Sequence, residues 1–351
     1  MMALGKTLLA FLALFALALV PGCRSDAPSL PALKADVSQT SVSGLSSGGY
    51  MAGQYHLAHS KTVTGAAILA AGPYGCAESP GAAAFPVYPA AVLYNLTQAQ
   101  SACMSGKGNG ALDSTRLLRL ASELADAGKI DPLSGLKHSK VYLYTGADDR
   151  IVVKAVVEAA QKFYLAAGVP AENIEFVTKN PGGHAFLTAG FGEACGSSDP
   201  PYVSNCQYDQ AGAILRAFYG ELAPKTAAKP ENFVTFGQKA YAGQDATLAD
   251  EGVVYIPSSC RTEAGCRIHV VFHGCQQSRA VVGDAFIRGS GFADWAEANR
   301  IAVLFPQVTA SHMNPAGCWD WWGYTGLDYL TQSAPQIKAV EKMVSRLAEA
   351  Q

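Results

Sequence analysis

Short apolar runs alternate with amphipathic stretches along most of the chain. Residues 140–144, 173–177, 267–272 and 301–306 are rich in Val, Ile, Tyr and Phe and predict buried strands. Residues 64–72 predict another, built from small side chains. Residues 233–238 and 252–257 read as an antiparallel pair. Helical patterns fall at 90–102, 113–127, 154–167, 211–218, 292–300 and 336–350. The last carries Ile337, Val340, Met343, Val344 and Leu347 on one face. Asp113 or Ser114 caps the second helix, and Gly168 stops the third. Strands alternating with helices predict an α/β fold with a mostly parallel sheet under helices. Residues 24–33, polar and proline-containing, read as a mobile tether. No repeat, linker or appended module follows, so 24–351 is expected to be one domain.

One stretch breaks the pattern. Residues 42–50, Val-Ser-Gly-Leu-Ser-Ser-Gly-Gly-Tyr, contain Gly44-x-Ser46-x-Gly48. A strand at 37–42 would turn abruptly there into a helix at 50–58. Glycines permit the turn because any Cβ would crowd neighbouring backbone. Ser46 would stand at the apex, above helical N–H groups that favour developing negative charge. Taken alone, the motif also fits an ordinary Gly/Ser loop.

Composition narrows the class. The 351 residues carry 15% charged side chains and a formal net charge of -2. Lys and Arg are scattered, so no basic field exists to attract nucleic acid or anionic lipid. Residues 1–23 form a targeting segment: Lys6 supplies the positive start, and 8–20 is an apolar run short for a membrane span. Its ending, Val20-Pro21-Gly22-Cys23, resembles the bacterial lipoprotein signal, in which the cysteine is lipidated. The alternative is an ordinary signal peptide cut slightly later. The chain is therefore expected to be exported, touching a membrane only through a lipid on Cys23. Eight of the nine cysteines remain beyond Cys23. An even set in an exported chain suggests disulfides, with 105 pairings open to them. Sequence neighbours suggest Cys195 with Cys206 and Cys260 with Cys266, and Cys76 with Cys103 and Cys275 with Cys318 would then remain. No C-x-x-C spacing points to zinc or thiol redox chemistry.

A serine hydroxyl needs a base, and the base needs an orienting acid. Ser46, Asp149 and His184 occur in the Ser, Asp, His order of the α/β-hydrolases. Asp149 follows the 140–144 strand in Gly146-x-x-Asp149, with Asp148 as its rival. His184 lies in a glycine-flanked loop after the next strand. Singly, Asp149 could be a helix cap and His184 a surface histidine. His56 and His59, three apart, have no carboxylate that would make a metal site. His59 is expected at its helix C-terminus, and His138, His269 and His312 have no evident partner.

The reaction also needs oxyanion donors. Ser47 N–H, just after the nucleophile, is one. The second ordinarily comes from a His-Gly loop upstream of the serine. The matching segment here, His273-Gly274-Cys275, lies far downstream with the 267–272 and 301–305 strands. Circular permutation explains this: the nucleophile half comes first and the oxyanion half follows, while neighbours in space are kept. The alternative is a disulfide-anchored turn.

Together, Gly44-Leu45-Ser46-Ser47-Gly48-Gly49-Tyr50, Gly146-x-x-Asp149, Gly183-His184, His273-Gly274-Cys275 and Gly317-Cys318-Trp319-Asp320-Trp321-Trp322-Gly323 resemble the poly(3-hydroxybutyrate) depolymerases whose catalytic domain is circularly permuted. The resemblance covers nearly the whole mature chain. It implies a disulfide-stabilised, circularly permuted α/β-hydrolase with four disulfides. It implies Ser46 as nucleophile, His184 as base, Asp149 as orienter, and the Ser47 and Cys275 amides as oxyanion donors. No cofactor or metal is expected, and the enzyme is expected to be a monomer acting on polyester or oligoester. Trp319, Trp321, Trp322 and Tyr324 could offer an apolar surface to ester chains, with at least one tryptophan in the core. Many members of the family carry a linker and a separate polymer-binding domain, and neither is expected in this chain. The competing readings are a feruloyl or acetylxylan esterase and a non-catalytic polymer-binding lipoprotein.

Overall fold

The computed structural model describes residues 27–108 and 110–350. The targeting segment and Cys23 lie outside the described residues. The first half of the chain supplies β1 (Thr40–Leu45), β2 (Val63–Leu69), β3 (Lys140–Tyr144) and β4 (Ile174–Val177). Three short strands follow, β5 (Phe186–Thr188), β6 (Glu193–Ala194) and β7 (Val203–Asn205). The second half supplies β8 (Phe233–Gly237), β9 (Glu251–Tyr255), β10 (Arg267–Phe272) and β11 (Ile301–Phe305). Eight of them form one sheet in the order β4-β3-β2-β1-β10-β11-β9-β8. Neighbours from β4 to β11 run parallel, and β9 and β8 close the edge antiparallel. Helices cover both faces of such a parallel sheet, so its central strands read as continuous apolar runs rather than alternating ones. Every residue of β1 and of β11 is buried.

The permutation is visible in the register. β10, written late, lies directly beside β1, with Thr40 opposite Ile268 and Gly44 opposite Phe272. The carboxyl ends of the two strands therefore coincide. There α1 (Ser47–Ala58) begins. A Cβ on Gly48 would sit 2.3 Å from the Phe272 carbonyl oxygen, and one on Gly44 2.1 Å from the Gly48 carbonyl oxygen. Those distances lie far inside van der Waals contact, so only glycine fits at either position.

Several boundaries differ from expectation. Residues 37–39 form a single 3-10 turn, because the Asp36 carboxylate accepts the Ser38 N–H at 3.0 Å and starts the turn. β1 consequently begins at Thr40. Of the stretch expected to be a tether, the part from Leu30 onward is packed. Leu30 and Leu33 are buried, and the Leu33 N–H donates to the Leu347 carbonyl at 3.0 Å. Their apolar side chains cover the C-terminal helix Pro335–Ala348. The small sheet β5-β7-β6, too short to show a period, was not foreseen.

Four disulfides join Cys76 to Cys103, Cys195 to Cys206, Cys260 to Cys266 and Cys275 to Cys318.

Three histidines lie inside this core. His269 contacts the hydroxyls of Ser41 and Ser43 at 2.7 and 2.9 Å. His56 contacts Ser139 at 2.9 Å and Tyr164 at 3.2 Å. Burial pushes His56 and His269 down to about 3, and His273 to about 4, from 6.5. Below pH 6.5 the unfolded chain takes up protons that the folded chain refuses, so stability falls as pH drops from there towards about 4. Each histidine contributes at most about 1.4 kcal/mol per pH unit. Urea unfolding at stepwise pH should show this decline; a flat midpoint between neutral pH and about pH 5 would contradict it.

Candidate active site

Between Thr40 and Ala58 every residue is buried except Ser46, which is half-exposed. Its backbone is held at φ 57° and ψ -121°. This is a costly conformation for a residue with a Cβ, retained where surroundings over-determine it. Here the Ser46 N–H donates to the Leu69 carbonyl at 2.8 Å, and the Ser46 carbonyl accepts the Tyr50 N–H at 3.0 Å. The hydroxyl is thereby lifted out of the sheet at the N-terminus of α1.

Asp149 follows β3 and is buried, whereas Asp148 is exposed. One Asp149 oxygen accepts the Ile151 and Val152 N–H groups at 2.8 and 2.9 Å. The other faces His184 Nδ1 at 2.8 Å. With the carboxylate as acceptor, Nδ1 carries the proton and Nε2 is left free to accept one. The His184 backbone N–H donates to Ser198 Oγ at 2.8 Å, which fixes the loop. Ser198 had no sequence signal, since its contact joins two loops.

Ser46 and His184 line one cavity of ≈ 230 Å³, with Met104, Ile151, Tyr202 and Cys275 among its walls. The His273-Gly274-Cys275 turn presses on the elbow: a Cβ on Gly274 would sit 3.6 Å from the Ser46 Cβ. His273 shapes the turn. Its Nδ1 donates to the Gly274 carbonyl at 2.7 Å, and Nε2 accepts the Val308 N–H at 3.2 Å. Gln277 was also not foreseen. Its Oε1 accepts the Gly274 N–H at 2.7 Å, and its Nε2 donates to the Pro201 and Tyr202 carbonyls. The expected nucleophile, base and acid, and both expected oxyanion segments, thus meet at one place. A serine and a histidine oriented by a carboxylate share one cavity, a combination suited to acyl transfer.

Trp319, Trp321, Trp322 and Tyr324 are all buried, and none lines this cavity. Trp321 stacks on Tyr50 with centroids 4.0 Å apart, and Trp322 packs on Tyr324 at 4.8 Å. Trp319 packs edge-on against Phe272 of β10 at 4.9 Å. An exposed apolar surface lies on α2 (Pro80–Ala84), α3 (Ala90–Ser105) and the turn between them. Phe85, Val87 and Leu93 are 60%, 67% and 65% exposed.

His59 caps α1 through its backbone N–H on the Tyr55 carbonyl, while its ring lies 3.9 Å from Glu341. A larger cavity of ≈ 840 Å³ sits towards the β8–β9 edge. Its charges pair internally, Lys239 with Asp250 and Arg279 with Glu251, and it holds no nucleophile and base. Among the described residues, no three His, Cys, Asp or Glu side chains converge as a metal would require. Nor is any described helix long and apolar enough to cross a membrane.

No family model matches the chain. It is 37% identical over 327 residues to a poly(3-hydroxybutyrate) depolymerase of Delftia acidovorans, covering 92% of this chain but only 62% of that protein. It is 32% identical over 342 residues to a polyhydroxybutyrate depolymerase of Talaromyces funiculosus. Among solved structures, it is similar to a PHB depolymerase from Penicillium funiculosum, with a TM-score of 0.79 and 29% identity over 91% of this chain and 98% of the other. A PHB depolymerase complexed with an R3HB trimer gives a TM-score of 0.78 and 28% identity over the same shares. Since the Talaromyces funiculosus match spans 92% of this chain and 93% of its relative, the chain belongs to the poly(3-hydroxybutyrate) depolymerase family.

Proposed function

We propose that the chain is an exported, monomeric serine esterase that hydrolyses poly(3-hydroxybutyrate) and its oligoesters. Residues 1–23 would direct export, and 24–351 would form one catalytic domain without a cofactor. Ser46 Oγ attacks the ester carbonyl as His184 Nε2 takes its proton. Asp149 keeps His184 in the Nδ1–H form and stabilises the imidazolium. The oxyanion lies against the Ser47 and Cys275 N–H groups. His184 then protonates the departing alkoxide, and water hydrolyses the acyl-Ser46 ester by the same route.

The 2.8 Å contact between His184 and Asp149, beside a cavity shared with Ser46, carries this reading. The apolar band on α2 and α3 supports a water-insoluble substrate, since a large exposed apolar patch marks an interaction surface. Helix α3 runs from that band to Met104 in the cavity wall; Leu93 and Met104 are roughly 16 Å apart along it.

The protein should clear a suspension of amorphous polyhydroxybutyrate, and a serine-directed phosphonate should label Ser46. Release of ferulate or acetate from xylan without clearing would favour a carbohydrate esterase. No labelling would favour a binding protein.

A further inference from the structure

We infer that Ser47 Oγ and the segment from Ala316 to Trp319 form a clamp that fixes the spacing of the two oxyanion donors. The inference rests on the serine esterase reading above. The two donors follow neighbouring strands, Ser47 opening α1 after β1 and Cys275 lying beyond β10. An oxyanion hole works only if both N–H groups converge on the same oxygen at 2.7–3.1 Å, roughly the tolerance of a single hydrogen bond.

Two adjacent residues touch both sides. Cys318 is covalently joined to Cys275. Trp319, next in sequence, donates its backbone N–H to Ser47 Oγ at 3.3 Å. Ser47 is buried, and its hydroxyl sits away from the cleft, where the substrate reading gives it no task. The segment itself is fixed at both ends. Asn314 Oδ1 accepts the Cys318 N–H at 2.9 Å, and Asn314 Nδ2 donates to the Cys318 carbonyl at 2.8 Å. The Gln276 N–H donates to the Ala316 carbonyl at 2.8 Å. On the far side the Asp320 carbonyl accepts Gln54 Nε2 from α1 at 2.9 Å. The buried Asp320 carboxylate accepts the Gly323, Tyr324 and Thr325 N–H groups. With neighbouring Cα atoms about 3.8 Å apart, the Cys318–Trp319 step is a ruler of fixed length between the donors. Ser47 is thus a positioning residue through its side chain, apart from any role of its N–H.

Ser47→Ala keeps the backbone N–H and removes only the acceptor. On a soluble p-nitrophenyl butyrate it should lower kcat about tenfold, less than full loss of a donor, with KM changed less than about twofold. Affinity for an alkyl boronic acid, whose tetrahedral adduct uses the same donors, should fall by the same factor as kcat. Ser47→Thr, which retains the hydroxyl, should return kcat to within about threefold of wild type. Cys318→Ser cuts the other arm of the clamp and should show the same joint loss of kcat and boronate affinity. Wild-type kcat in both Ser47→Ala and Cys318→Ser overturns the clamp, as does a loss of kcat with boronate affinity unchanged. A wild-type protein with no esterase turnover and no phosphonate adduct at Ser46 overturns the underlying reading instead.

Discussion

Ser46→Ala leaves about one part in 10⁶ of the wild-type kcat on a soluble butyrate ester. The substitution deletes a single oxygen at a half-exposed apex, so the fold loses almost nothing. Alanine must still adopt φ 57°, a strain the serine already bears. Circular dichroism and melting temperature should therefore match wild type, and affinity for an uncleaved oligoester should persist. Initial rates by stopped assay, with the variant made free of wild-type contamination, check the outcome. Residual activity above about one part in 10³ would place the nucleophile elsewhere, since oxyanion donors and binding alone supply only about 10³–10⁴ over water.

Asp149→Asn lowers kcat about 10⁴-fold. The asparagine keeps an oxygen for the Ile151 and Val152 N–H groups, so the loop holds its shape. An amide NH2 then stands 2.8 Å from His184 Nδ1, where the carboxylate oxygen was. Two donors cannot face each other, so the imidazole moves its proton to Nε2 and can no longer accept one from Ser46. The loss falls on kcat, with KM little changed. The assay is the same, run across pH. A drop below about tenfold would show that Asp149 is a loop cap only.

Much of the sheet was legible because its strands are buried on both faces and so write themselves as uninterrupted apolar runs, as in 140–144 and 301–305. The elbow was legible for a different reason. Gly44 and Gly48 are demanded by backbone contacts near 2 Å, a constraint no other residue type can meet. Placing the oxyanion loop beside Ser46 required permutation to be inferred from strand texture and a misplaced His-Gly-Cys, and the β1–β10 register agrees with that order. Ser198 and Gln277 stayed invisible. Ser198 acts by one hydrogen bond to the His184 backbone, and Gln277 by bonds to the nearby Gly274 N–H and to the distant Pro201 and Tyr202 carbonyls; neither sits in a pattern of its own. The tryptophan cluster stayed ambiguous in the sequence because ring size is equally suited to a binding face and to a scaffold. Only the partners, such as Tyr50 against Trp321, decide between them.

The strand order has a cost in time. β1 is among the earliest elements made, yet one of its two neighbours, β10, emerges only after more than two hundred further residues. Until then the central strand keeps a bare edge, and loop-closure entropy opposes the pairing that would cover it. Strands β1 to β4 can pair as they emerge, but the sheet cannot be completed until β10 and β11 follow. The seam through its middle therefore closes only after most of the polypeptide has been synthesised.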